Sequence, residues 1–342
     1  MDEEHDMVTH FGRRPAALAL LASAALALSA CAPISNDGAS AGPSGTSGGA
    51  PGTTNLSIAT GGTGGVYYPL GNGLATVIRE NLDGYDAAIQ ETNASVDNML
   101  LIDNGGADIA FSLGDTAADA VAGVGEDFEG SPVSACALGR IYNNYTQLVA
   151  STDAGIASVD DLVGKRVSLG APGSGTEVIA LRILEAAGID PDADIERQQL
   201  AVDETVAGLR DGTIDAGFWS GGLPTGALVD YATTGEMVLV PTGEYADAMQ
   251  EAHGEYYLEE PIPGGTYEGI DDDVSTVIVP NVLVVNPERM DEALQTELTR
   301  LLFDQKQALV DTHPAADEID RETAADVPFM DICPGAQAYY DE

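Results

Sequence analysis

From Asn55 onward, short β-branched or Ala-rich runs alternate with amphipathic stretches, separated by Gly, Asp and Pro. The alternation runs twice in the same order. It confines the chain to the α/β class, with open, mainly parallel sheets flanked by helices. The first unit predicts strands at 56–59, 87–90 and 107–111 with helices at 69–80 and 96–104. After a connecting segment at 137–150, the second predicts a short capped helix at 158–162, strands at 167–169, 198–200 and 216–219, and helices at 176–187 and 204–210. A weakly patterned stretch at 237–269 precedes strands near 274–285 and a long helix at 290–312. Leu294, Leu298, Leu301, Leu302 and Leu309 recur there at helical spacing and are expected to pack on the first sheet.

With 342 residues the chain is long enough for two lobes around a substantial core. Open parallel sheets bind ligands beyond the carboxyl ends of their strands, so two of them facing each other form a cleft. Lobe I is expected at 55–136 and from about 240 to 342, and lobe II at 137–239. The strands between the lobes would then act as hinges that close over a small ligand.

The residues before Asn55 read as an address. Arg13 and Arg14 precede an unbroken apolar run of small residues from Ala16 to Ala30, shorter than the roughly 20 residues needed to span a bilayer. Residues 1–30 are therefore a signal peptide. Its end, Leu28-Ser29-Ala30-Cys31, resembles the bacterial lipobox, so Cys31 is the expected lipidation site. Residues 31–54, mostly Ser, Gly, Pro, Ala and Thr, form a flexible tether. The protein is thus expected outside the cytoplasm, held at the outer face of the cell membrane by lipid, or periplasmic. Cys136 and Cys333 remain, and in an oxidising compartment they either form one disulfide or stay as two free thiols.

The formal charge of −43, from 56 acidic against 13 basic side chains, excludes nucleic acid as a partner, since phosphate binding needs Lys and Arg to displace counterions. It also favours a monomer that repels its own copies at low salt. A saline habitat and a simple avoidance of lysine account for it equally well.

The sharpest local signal is GGTGGVYYPLG at 61–71, between the first strand and the first helix. Its glycines let backbone N–H groups approach a ligand, and the helix N-terminus adds unsatisfied donors with partial positive charge. It is neither a complete G-x-G-x-x-G nor a P-loop. The second unit repeats the device in GAPGSGTE at 170–177, where Ser174 either caps its helix or meets a ligand. Two such helix starts on facing lobes suggest an acidic ligand gripped at both ends. Thr63, Gly64 and Tyr67 are expected to meet it from the first lobe, with Ser95, which would face Thr63, and Asp115, a partner for a ligand ammonium or a helix cap. Ser174, Gly175, Thr176 and Gly222 would meet it from the second, and Arg140 is a candidate counter-charge near the hinge.

Enzyme readings find little support. The histidines beyond the signal peptide, His253 and His313, sit in polar contexts that predict solvated side chains, and no G-x-S-x-G elbow accompanies them. No metal or cofactor is expected. Glu268 with Asp271, Asp272 and Asp273 reads as an exposed acidic loop rather than a Ca²⁺ site.

At these loops the chain resembles the TAXI branch of TRAP transporter solute-binding proteins. The first-strand loop matches the family's GGTGGVYYPLG, and 161–176 match its D-L-x-G-K-x-V-x-x-G-x-x-G-S-G-T. Residues 214–218 with 221–225 look like its D-A-x-F-x-x-G-G-x-P. The ending Pro334-Gly335-Ala336 with Tyr339-Tyr340 resembles H-P-G-A-x-x-Y-Y, with Cys333 in place of His. The resemblance implies a type II periplasmic-binding fold, a glutamate- or 2-oxoglutarate-like carboxylate as ligand, and delivery to TRAP permease subunits without catalysis. A ligand sensor coupled to a membrane signalling partner is the alternative, and an enzyme on the same two-lobed fold a weaker one.

Overall fold

The computed structural model describes residues 53–234 and 236–342; the signal peptide, Cys31 and nearly all of the tether lie outside them. The first parallel unit is β1 (Thr54–Ala59), α1 (Tyr67–Asn81), β2 (Tyr85–Gln90), α2 (Ser95–Asn104) and β3 (Ile109–Leu113), followed by α3 (Gly114–Ala122). In α1 the apolar residues Leu70, Leu74, Val77 and Ile78 recur on one face and are buried. The segment at 137–150 is no loose connection. It is β4 (Cys136–Ser151), the longest strand of the described chain.

The second parallel unit comprises β5 (Arg166–Ser168), α4 (Gly175–Ala187), β6 (Glu196–Gln198), α5 (Val202–Arg210) and β7 (Ala216–Gly221), then α6 (Gly226–Ala232) and β8 (Met237–Val240). The short capped helix expected at 158–162 is a 3₁₀ helix whose Ser158 and Asp161 form a capping box. The weakly patterned stretch contains α7 (Ala246–His253) and β9 (Leu258–Ile262). After β10 (Val274–Val285), the single helix expected at 290–312 is two, α8 (Glu292–Asp304) and α9 (Lys306–Val310), broken at Gln305. Helix α10 (Pro334–Tyr340) ends the chain.

All ten strands of the described residues join one hydrogen-bonded sheet in the order β2-β1-β3-β10-β4-β7-β5-β6, with β8 added to β4 and β9 to β10. Strands β2, β1 and β3 are mutually parallel, as are β6, β5 and β7. Between these halves lie β4 and β10, antiparallel to their neighbours. Each belongs to both halves. The end of β10 pairs with β3 and its start with β9, while β4 pairs with β10 from Cys136 and with β7 from Tyr145 onward. The α/β class expected from the alternation is therefore the fold, with two long strands joining its halves.

On one face of the first half, Leu56, Ile58 and Phe111 pack with α1 and with Leu298, Leu301, Leu302 and Leu309. The last helices thus cover the first sheet, as their spacing predicts. Cys136 and Cys333 form a disulfide in this core, joining the start of β4 to the N-cap of α10. In the second half, Ile179, Ile183 and Phe218 form a core with Ala246, Met249 and Tyr257.

Candidate functional site

A cavity of about 580 Å³ lies where the two halves face each other. Its wall includes the beginnings of four helices: Val66 and Tyr67 of α1, Ala94 and Ser95 of α2, Ser174, Gly175 and Thr176 of α4, and Ala201, Val202 and Asp203 of α5. Each helix presents unsatisfied N–H groups and the positive end of its dipole. Neither Val66 nor Ala94 has a side-chain cap, and Ser174 uses its hydroxyl to accept from the Glu177 amide at 3.1 Å. Ala94 has φ of 85°, a positive value that L side chains rarely adopt. Ala94→Gly is therefore expected to raise stability by about 1 kcal/mol in urea unfolding.

The halves touch around the cavity. The Asp97 amide donates to the Gly173 carbonyl at 3.3 Å, and Thr63 Oγ1 donates to Asp203 Oδ2 at 3.4 Å. Gly65 lies against the Trp219 ring, where a Cβ would come within 2.8 Å, and Gly175 lies against Ser95 Oγ, also within 2.8 Å of a Cβ. The halves are closed on one another.

The floor is polar and buried. Tyr67 OH and Asn144 Nδ2, the latter at 2.8 Å, both donate to Asn281 Oδ1. Burial pushes the Tyr67 phenol well above its ordinary range, so it stays a protonated donor. Three wall residues carry a buried polar atom without a partner in the protein: Tyr142 OH, Asn144 Oδ1 and Ser220 Oγ. These residues are 1%, 1% and 7% exposed. Such atoms are costly unless something else pairs them.

Of the residues singled out in the sequence, Tyr67, Ser95, Ser174, Gly175 and Thr176 come together in the wall. Ser95 does not face Thr63; its Oγ accepts from the Leu113 amide at 3.1 Å. Thr63 is exposed, and it and Gly64 are not wall residues but lie against Asp203, which is one. Gly222 lies behind the wall, against Tyr142 and Ala315. Arg140 is not among the wall residues, and its Nη2 donates to Asn143 Oδ1 at 2.6 Å.

Asp115 is also absent from the wall. At the second position of α3 its side chain turns into the interior, where Oδ2 accepts from Tyr257 OH at 2.8 Å and lies 3.7 Å from Arg182 Nη1. Arg182 also binds Asp119, and burial raises the Asp115 carboxyl above its ordinary range. The residues the sequence did not point to, Tyr142, Asn144 and Trp219, come from β4 and β7. The histidines are half-buried rather than solvated. His313 Nε2 lies 3.2 Å from the Pro224 carbonyl oxygen, His253 Nε2 lies 3.3 Å from Glu185, and burial lowers the pKa of both. Among the described residues, no group of three or more His, Cys, Asp or Glu is placed to hold a metal ion, and no helix is long and apolar enough to cross a membrane.

Among solved structures, PhnD1 from Prochlorococcus marinus, in complex with methylphosphonate, matches with 11% identity and a TM-score of 0.52, over 77% of this chain and 90% of that one. The periplasmic aliphatic sulphonate binding protein SsuA from Escherichia coli matches with 15% identity and a TM-score of 0.43, over 84% and 82%. The fold is the two-lobed one of periplasmic binding proteins. The sequence profile of the NMT1-like family matches residues 58–342, and the chain belongs to that family.

Proposed function

We propose that the protein is an extracytoplasmic solute-binding protein that captures a small organic carboxylate between its lobes and delivers it to membrane permease subunits. The observation that carries this reading is the meeting of four helix N-termini at one cavity. Aligned N–H groups and helix dipoles hold an anion without a basic side chain, and a volume near 580 Å³ suits a small molecule. The lobes are proposed as 55–136 with the residues after β10, and 137–273, because Ala246, Met249 and Tyr257 belong to the core of the second half and not, as the sequence suggests, to the first; β4 and β10 are the hinge strands.

The match of 61–71 and 161–176 to TAXI motifs supports a TRAP permease as recipient and a small organic carboxylate as ligand. Lipidation at Cys31 would hold the protein at the membrane face. No bond is made or broken in this role. A sensor would use the same cleft with a membrane signalling partner in place of the permease.

The test is thermal unfolding against L-glutamate, 2-oxoglutarate, succinate, L-leucine and a neutral alcohol of similar size. A carboxylate at a hundred times its Kd adds about 2.7 kcal/mol, a rise of several degrees. A rise with the alcohol and none with any acid would defeat the reading.

A further inference from the structure

We infer that the cavity selects a monocarboxylate with an apolar body in preference to a dicarboxylate. The inference rests on the carboxylate reading of this same cavity and narrows its ligand class.

The first reason is charge. Among the wall residues there is no Lys, Arg or His, while Glu91, Asp97 and Asp203 contribute three carboxylates. Asp97 lies in the first turn of α2 and Asp203 in the first turn of α5, so both helix dipoles already have an anionic complement within the chain. The first turn of α1 contains no acidic residue. That of α4 contains only Glu177, which is paired with Arg197 at 2.6 Å. Two helix N-termini, one from each half, are thus left for a ligand, enough for one carboxylate. A second would meet Glu91, Asp97 or Asp203 with no cation beside it. Nearby arginines are engaged elsewhere, Arg182 with Asp115 and Asp119 and Arg140 with Asn143.

The second reason is the rest of the wall. Val66, Leu100, Leu101, Leu113, Val202 and Trp219 present apolar surface that a second charged group would have to desolvate against. An aliphatic or aromatic body would instead bury favourably there.

Titration calorimetry of the full chain at physiological ionic strength separates these demands. L-Leucine against L-glutamate varies the second carboxylate while keeping the ammonium donor. 4-Methylpentanoate against pentanedioate varies it in the absence of an ammonium group. 4-Methylpentan-1-ol lacks the carboxylate. Leucine is expected to bind at least tenfold more tightly than glutamate, and 4-methylpentanoate at least tenfold more tightly than pentanedioate. Glutamate binding as tightly as leucine, or pentanedioate as tightly as 4-methylpentanoate, overturns the inference and leaves the carboxylate reading standing. Binding of the alcohol as tight as that of the acids, or no binding by any acid, overturns both.

Discussion

Arg182→Met is expected to destabilise the fold by about 3–5 kcal/mol, because it removes the only cation beside a buried carboxylate. Asp115 is 0% exposed, and its other partners are the Tyr257 hydroxyl at 2.8 Å and the Thr116 amide at 2.7 Å. Neither carries positive charge. The same guanidinium binds Asp119 and donates to Tyr257 OH at 2.6 Å, so α3 and the residue before β9 lose their common partner on α4 at once. The loss should depend on pH with a definite sign. Burial already holds the Asp115 carboxyl above its ordinary range while Arg182 pulls it down, so the variant raises it further. A carboxyl that binds its proton more readily in the folded state than in the unfolded one favours folding as pH falls. The deficit against the parent protein should therefore shrink between pH 7 and pH 4. Urea unfolding at both values checks this, and Arg182→Met with Asp115→Asn should recover much of the loss. A deficit below 1 kcal/mol at pH 7, or one unchanged at pH 4, would show that Asp115 needs no counter-charge.

The largest expected effect on binding comes from Gly175→Val. Gly175 is the first residue of α4 and lies in the cavity wall, where a Cβ would overlap Leu113 and stand 2.8 Å from Ser95 Oγ. A branched side chain there wedges the halves apart and covers the α4 amides. Carboxylate affinity should fall at least a hundredfold, about 2.7 kcal/mol, while overpacking costs the fold about 1–3 kcal/mol. Gly226→Ala, at the first position of α6 with nothing within 4 Å of its Cβ, is the matched control and should bind as the parent does. Affinity within threefold of the parent for Gly175→Val would remove the start of α4 from the site.

The parts legible in the sequence were those with local causes. The glycine loops at 61–65 and 170–175 announce strand-to-helix turns by composition alone, and Tyr67, Ser95, Ser174, Gly175 and Thr176 follow from their places at those turns. Strand β4 was not legible as a strand because it is buried on both faces along most of its length, which erases period-2 alternation, and Asn143-Asn144 in its middle reads as a turn. Missing β4 meant missing Tyr142 and Asn144. The break at Gln305 has no Gly or Pro to mark it, and the leucine spacing continues across it. For Asp115 the sequence located the strand end; whether the carboxylate faces the cleft or Arg182 depends on a partner 67 positions away in the chain, which no local pattern encodes.

Hydrogen–deuterium exchange with and without a bound carboxylate tests the central claim, that one ligand is held by helix N-termini of both halves. With the ligand that gives the largest thermal shift, exchange should slow together at 66–69 and at 175–178, the first turns of α1 and α4. Binding seen by calorimetry with exchange unchanged at either segment, or slowed only away from the cavity, would contradict it.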